Sequence, residues 1–207
     1  MKTITRTKYL ERIIELNQTP DIKIITGIRR AGKSELMRAY ISYLKSHFEN
    51  INIIFIDFMD IEYEGLKEYH ALHTYVEAHY QAKKTNYVFV DEVQMCHKFE
   101  LAINSLYSKR KYDIYITGSN AFLLGADLAT LFTGRYIGIH VFPFSFREYC
   151  QFYDEIDDKE KLFDEYMIKG GLAGSYVYKT EADRIRYVKE VYETIVTRDL
   201  VQKYSLT

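Results

Sequence analysis

The stretch GIRRAGKS, Gly27 to Ser34, matches the spacing GxxxxGK[ST]. Loops of that pattern wrap a di- or triphosphate in backbone N–H groups. The anion needs N–H groups more than it needs glycine at each position. Gly27, Ile28, Arg29, Arg30, Ala31, Gly32, Lys33, Ser34 and Glu35 are therefore all candidate binding residues, and the helix that follows adds partial positive charge at its N-terminus. Lys33 is expected to reach the β and γ phosphates, and Ser34 to place its hydroxyl on Mg²⁺. Arg29 and Arg30 add nothing to this minimum. At least one of them is expected to project from the loop rim toward the γ-phosphate, an acidic residue of a lid, or a partner.

Three further groups could complete the chemistry. In YVFVDEVQ an apolar run ends in Asp91 and Glu92, and open α/β sheets bind ligands at the carboxyl ends of their strands. Asp91 would hold Mg²⁺ through water, while Glu92 would orient and deprotonate an attacking water. In ITGSN, the side chains of Ser119 or Asn120 could hydrogen-bond the γ-phosphate or that water; equally, Gly118 and Ser119 could make a turn and cap a helix. Arg135, in LFTGRYI, could neutralise the charge of phosphoryl transfer in cis or from a neighbouring subunit. It could also simply complete a helix C-terminus.

These residues need strands and helices in a particular order. Tyr9, Leu10, Ile13 and Ile14 share one face of a first helix, IKII is a buried strand opening into the loop, and helical spacing resumes from Leu36 to about His47. The alternation then repeats: strand INIIFIDF, a helix from Leu66 to Ala82, strand YVFVDE, a helix from Phe99 to Leu106, strand DIYITGS, a helix from Phe122 to Phe132 closed by Gly134, and strand YIGIHVF. Near-continuous apolar strands between amphipathic helices predict an α/β fold, a doubly wound three-layer sandwich around a parallel five-stranded sheet. After Pro143 only helical patterns remain, in SFREYCQF, from Lys159 to Lys169 and from Ala182 to about Tyr204, with the turn GGLAG among them. The expected division is a core over residues 1–143 and a small helical lid over residues 144–207.

Composition removes other classes. The chain has 207 residues, 47% hydrophobic and 28% charged, which fits an ordered globular protein and not a disordered one. A formal net charge of -1 gives no overall field for nucleic acid, so DNA binding has no support from net charge. Cys96 and Cys150 form no CxxC pair, and no segment approaches the roughly 18 uninterrupted apolar residues of a membrane span. A cytoplasmic location without membrane contact is expected. His70, His73 and His79 lack the carboxylate or cysteine set of a metal site, and Lys109 to Lys111 read as a solvated edge.

Taken in order, GIRRAGKSELM, VFVDEVQ, ITGSNAFLL, LFTGRYIGIHVFPFSFREY and GGL resemble the AAA+-like P-loop ATPases of bacteria and archaea close to the STAND NTPases. The resemblance spans nearly the whole chain. It implies ATP and Mg²⁺ as ligands, hydrolysis of ATP, a strand order in which the TGS strand separates the DE strand from the loop strand, and a helical lid. It also implies a sensor role for Ser119 or Asn120 and an arginine-finger or related role for Arg135. Members usually carry GGLP where this chain has Ala173. They also tend to be about twice as long, with a C-terminal domain that this chain lacks, so the chain is expected to be cut from a longer protein whose partner that domain selects. A homo-oligomer is a further expectation. The leading function is an ATP-driven switch; the alternatives are a small-molecule kinase, or a nucleotide-dependent DNA- or protein-binding module with little turnover. Neither an NKxD nor a DxxG motif supports a GTPase.

Overall fold

In the computed structural model, residues 4–118, 130–153 and 158–197 are described. Five strands, β1 (Ile22–Thr26), β2 (Ile51–Asp57), β3 (Thr85–Asp91), β4 (Tyr112–Thr117) and β5 (Tyr136–His140), form one parallel sheet in the order β2-β3-β4-β1-β5. The acidic-pair strand β3 is thus separated from the loop strand β1 by β4, as the resemblance implies. Helices α1 (Thr7–Glu15), α2 (Lys33–His47), α3 (Tyr69–Ala78) and α4 (Phe99–Ser108) accompany the sheet.

Strand periodicity explains the three layers. Successive side chains point to opposite faces, so Ile24, Val88, Val90, Ile114 and Ile116 pack with Leu72 and Val76 of α3 and with Ile103 and Leu106 of α4. Ile25, Tyr87, Phe89 and Tyr115 turn the other way, onto Ile13 of α1 and Leu36, Met37, Tyr40 and Leu44 of α2. A polar chain runs through this second layer: the Tyr40 hydroxyl pairs with that of Tyr115, which donates to Asp113, itself ion-paired with the buried Lys23. This fixes α2, and hence the loop before it, against the sheet. Burial pushes the Asp113 carboxyl above its ordinary value despite the Lys23 ammonium.

One element differs from expectation. The predicted helix from Leu66 to Ala82 is shorter at both ends, because a 3-10 turn over Ile61–Leu66 comes first, capped by Asp60 accepting from the Glu62 N–H at 3.1 Å. The segment after His79 then bends into β3, with Asn86 Oδ1 accepting from the Gln81 N–H at 3.0 Å. Most of the predicted helix from Phe122 to Phe132 lies outside the described residues.

Beyond β5 there are α5 (Phe146–Phe152), α6 (Lys159–Lys169) and α7 (Glu181–Thr194), with a 3-10 turn over Ala173–Val177 before the last. Pro143 ends the extended segment, and Ser145 starts α5 with a capping box closed by Glu148. These helices have their own core of Tyr149, Leu162 and Tyr176, packed by Phe144, Phe146, Phe152, Tyr153 and Tyr166. Part of the chain's tyrosine content, 20 of 207 residues, is therefore a structural aromatic cluster. Gly171 ties this region to the strand exit: the Phe144 N–H donates to its carbonyl at 2.8 Å, and a Cβ there would lie 2.4 Å from the Phe144 carbonyl oxygen.

Candidate functional site

The loop from Gly27 to Ser34 lies where β1 ends and α2 begins. Gly27 is required by close approach: φ is +152°, and a Cβ would sit 2.3 Å from the Val141 carbonyl oxygen, at the end of β5. Gly32 is the left-handed N-cap of α2 with φ +94°, and Arg30 is also left-handed at +65°. Two such residues so close together turn the backbone sharply before the helix, the geometry that exposes successive N–H groups as an anion nest. Lys33 is buried, and its ammonium donates to the carbonyls of Gly27 and Ile28 at 3.0 and 3.1 Å. A cation in the first turn of a helix is unfavourable against the dipole. Its burial there makes sense for a group whose stronger partner is an anion in the loop. Arg30 is exposed, and its charge acts on Tyr187 of α7: burial raises that phenol, and Arg30 opposes the rise.

The acidic pair stands two strands away, at the same carboxyl edge. Asp91 is buried and accepts a short hydrogen bond from the Thr117 hydroxyl at the end of β4. The same Thr117 oxygen accepts from the Glu92 N–H at 3.0 Å. Glu92 is left-handed, with φ +54° and ψ +48°, a conformation that costs a bulky residue about 1–2 kcal/mol. Thr117 helps to hold it. Gln94 Nε2 donates to Glu92 Oε2, and among the described residues Gln94 Oε1 is a buried atom without a protein partner. The Thr117→Val variant keeps the shape of the side chain but leaves Asp91 and the Glu92 N–H unpaired. It is expected to lose about 1–3 kcal/mol of unfolding free energy, measured by urea titration.

Arg135 is not brought to the loop of its own chain. It precedes β5 at the amino edge of the sheet, where its carbonyl accepts from the Ile22 N–H at 3.0 Å, and its guanidinium lies 5.9 Å from the centre of the Tyr107 ring. Ile22 to Gly27 is five steps along β1, so roughly 16 Å of sheet separates Arg135 from the phosphate loop. Of the alternatives, action in cis would have to cross that distance. Arg135 is exposed, which fits both the neighbouring-subunit and the helix-end alternatives. Ser119 and Asn120 lie outside the described residues.

Beside the loop is a largely apolar cavity of ≈ 410 Å³, walled by Ile4 and Thr5 of the N-terminal segment, Ala31 and Leu36, and Phe144 and Ala173 of the helical region. Its volume and walls suit a heterocyclic base, and its contact with Gly32 puts such a base next to the phosphate site. Sequence reading missed this cavity, because its walls come from three distant stretches. It also missed Arg6 and the contacts of Thr117 and Gln94 with the acidic pair. The only signal for Thr117 was its place in ITGSN; its pairing with Asp91 depends on β3 and β4 being neighbours.

A parallel sheet in this order, with a GK[ST] loop after β1 and an acidic pair after β3, defines an α/β P-loop NTPase-like fold of the AAA+ kind. The chain matches the AAA domain family over residues 19–150 and belongs to that family. It is 32% identical over 206 residues to an uncharacterized protein of Haemophilus influenzae, covering 97% of this chain and 51% of that one. It is 27% identical over 212 residues to an uncharacterized protein of Methanocaldococcus jannaschii, covering 97% and 47%. The chain therefore spans about half the length of these curated relatives. Among solved structures, AMPPCP-bound DnaA from Aquifex aeolicus is similar with a TM-score of 0.52 and 13% identity, covering 98% of this chain and 70% of that one. That similarity is one of fold. Among the described residues, no helix is long and apolar enough to cross a membrane.

Proposed function

We propose that the chain is the ATP-binding and hydrolysing module of a nucleotide-driven switch close to the STAND NTPases. The core over residues 1–143 carries the site, and residues 144–207 act as its lid. The observation that carries the reading is the placement, on one edge of the sheet, of the Gly27–Ser34 loop, the Asp91–Glu92 pair and a base-sized apolar cavity. The loop's N–H groups and Lys33 bind the phosphates of ATP, and the cavity takes the adenine. Glu92 accepts a proton from the water that attacks the γ-phosphate in line, giving ADP and phosphate. The hydroxyl of Ser34 and the carboxylate of Asp91 suit a hard cation that prefers oxygen ligands and retains water. Mg²⁺ bound by them would neutralise phosphate charge. Ser119 or Asn120 is proposed as the γ-phosphate sensor.

The kinase alternative needs arginines presented to a substrate. In the helical region, Arg184 donates to the Tyr178 and Lys179 carbonyls and Arg186 to Glu190, so both have local partners. Water is the favoured acceptor. The test is phosphate release from ATP by the wild-type chain with no added acceptor. Release that requires an added small-molecule hydroxyl would replace this reading with a kinase.

Arg135 is proposed to act on the ATP of a neighbouring copy. Specific activity is then expected to rise with protein concentration, and Arg135→Ala to remove that rise, with a loss on the order of 10³ in turnover at high concentration. Activity independent of concentration and unchanged by Arg135→Ala would return Arg135 to the role of a helix-end cation. If the relatives' remaining length selects a partner, that partner and the switch's output belong to the longer protein.

A further inference from the structure

Arg6 lies in the segment before α1, far in sequence from every motif above, yet it is among the most highly connected side chains of the structure. It is 6% exposed. Its guanidinium carries five N–H donors and has five acceptors within reach. Nη1 donates to the carbonyls of Ala31 at 2.9 Å and Phe142 at 2.6 Å, and Nη2 to that of Pro143 at 3.4 Å. Nε and Nη2 form a bidentate pair with Glu148 at 2.7 and 3.0 Å. The rings of Tyr9 and Phe144 lie 4.5 and 5.1 Å from the guanidinium carbon. The phosphate loop, the exit of β5 and the first helix of the lid therefore meet on one cation.

The contact with Ala31 bears on phosphate binding. In a trans peptide the C=O and the following N–H point in opposite directions, so a guanidinium that draws the Ala31 carbonyl toward itself aims the Gly32 N–H away from itself, into the loop. Ala31, whose carbonyl this is, lies between two left-handed residues, Arg30 and Gly32. Such conformations persist only where their surroundings over-determine them. Glu148 completes the arrangement: burial opposes its ionisation, but the hydrogen bonds from Arg6 and Ser145 outweigh burial and hold its carboxyl below the ordinary carboxylate range.

We infer that Arg6 is a positioning residue of the nucleotide site, which aims the Gly32 N–H at bound phosphate and joins the phosphate loop to α5 of the lid through Glu148. The inference rests on the nucleotide reading above and adds to it how the loop is kept ready for an anion. It predicts that Arg6 matters for polyphosphate as such, with or without a base attached.

The experiment uses the whole chain, wild type and the variants Arg6→Gln, Arg6→Lys and Glu148→Gln, with inorganic tripolyphosphate and ATP as probes. Affinities come from calorimetry, and the Gly32 amide resonance is followed by ¹⁵N–¹H NMR as probe is added. In the wild type the Gly32 amide is expected to move downfield on saturation with either probe. Arg6→Gln should weaken both probes by about ten-fold or more, the worth of one charge-assisted hydrogen bond, and should reduce the Gly32 shift. Arg6→Lys, a point charge without the planar fork, should recover part of both effects, and it carries the test if Arg6→Gln does not fold. Glu148→Gln should leave the affinities within about three-fold, because Arg6 still holds Ala31, while amide exchange in α5 quickens.

An Arg6→Gln chain that is folded and retains both the Gly32 response and the tripolyphosphate affinity overturns the inference. Loss of ATP affinity alone, with tripolyphosphate unaffected, also overturns it and assigns Arg6 to the base cavity. A wild-type chain that binds neither probe removes the nucleotide reading itself, an outcome distinct from any difference among the variants.

Discussion

Glu92→Gln is expected to bind ATP as the wild type does and to release phosphate between about 100- and 10,000-fold more slowly, the range over which a general base contributes. The substitution is nearly isosteric. The contact that helps to fix the left-handed backbone, from the Glu92 N–H to the Thr117 hydroxyl at 3.0 Å, does not involve the side chain and survives. The new amide can still accept from Gln94 through its oxygen, so Gln94 keeps a partner. Only the ability to take a proton from water disappears. Single-turnover phosphate release, with affinity measured separately, decides the matter. Normal hydrolysis by Glu92→Gln would mean that another group is the base.

Lys33→Ala is expected to fail in the opposite way, losing ATP affinity by roughly 100-fold, the upper end for a charge-assisted hydrogen bond to a buried anion. The folded chain without nucleotide should be little affected, because two effects oppose each other. Removing Lys33 relieves a cation held against the positive end of α2. It also leaves the Gly27 and Ile28 carbonyls without the donor they have at 3.0 and 3.1 Å. Thermal unfolding of the free protein should therefore change little, while the stabilisation that wild type gains from ATP is lost. A variant that is strongly destabilised yet still stabilised by ATP would make Lys33 a structural residue of the loop.

The two variants separate binding from chemistry, and Thr117→Val connects them. That side chain touches both members of the acidic pair, so its loss should appear in stability and in turnover together. Parallel strands make this possible. Neighbouring strands ending at one edge bring a threonine of β4 within hydrogen-bond reach of an aspartate of β3, although 26 residues separate them in sequence.

The sequence alone was enough for whatever depends on neighbours along the chain. The loop is legible because Gly27, Gly32, Lys33 and Ser34 lie on one continuous backbone turn, so their spacing alone marks it. The strands were legible as apolar runs, most clearly in the three central ones, where burial on both faces leaves near-continuous stretches such as Val88, Phe89 and Val90. Asp91 and Glu92 were legible because they end such a run. Helix ends were less so, as in α3, where a cap at Asp60 and the bend before Asn86 fix the boundaries through local polar contacts that hydrophobic period does not record.

Only the tertiary structure decided the rest, because it depends on which strands and segments become neighbours. The place of β5 beside β1 puts Arg135 at the amino edge, against Ile22 and far from the loop of its own chain. The return of Gly171 to Phe144 closes a base-sized cavity whose walls come from both ends of the chain. Arg6 stands 25 residues before the carbonyl it holds and 142 before the carboxylate it pairs with. No local pattern marks such a residue, since its role follows from the convergence of three segments on one planar cation.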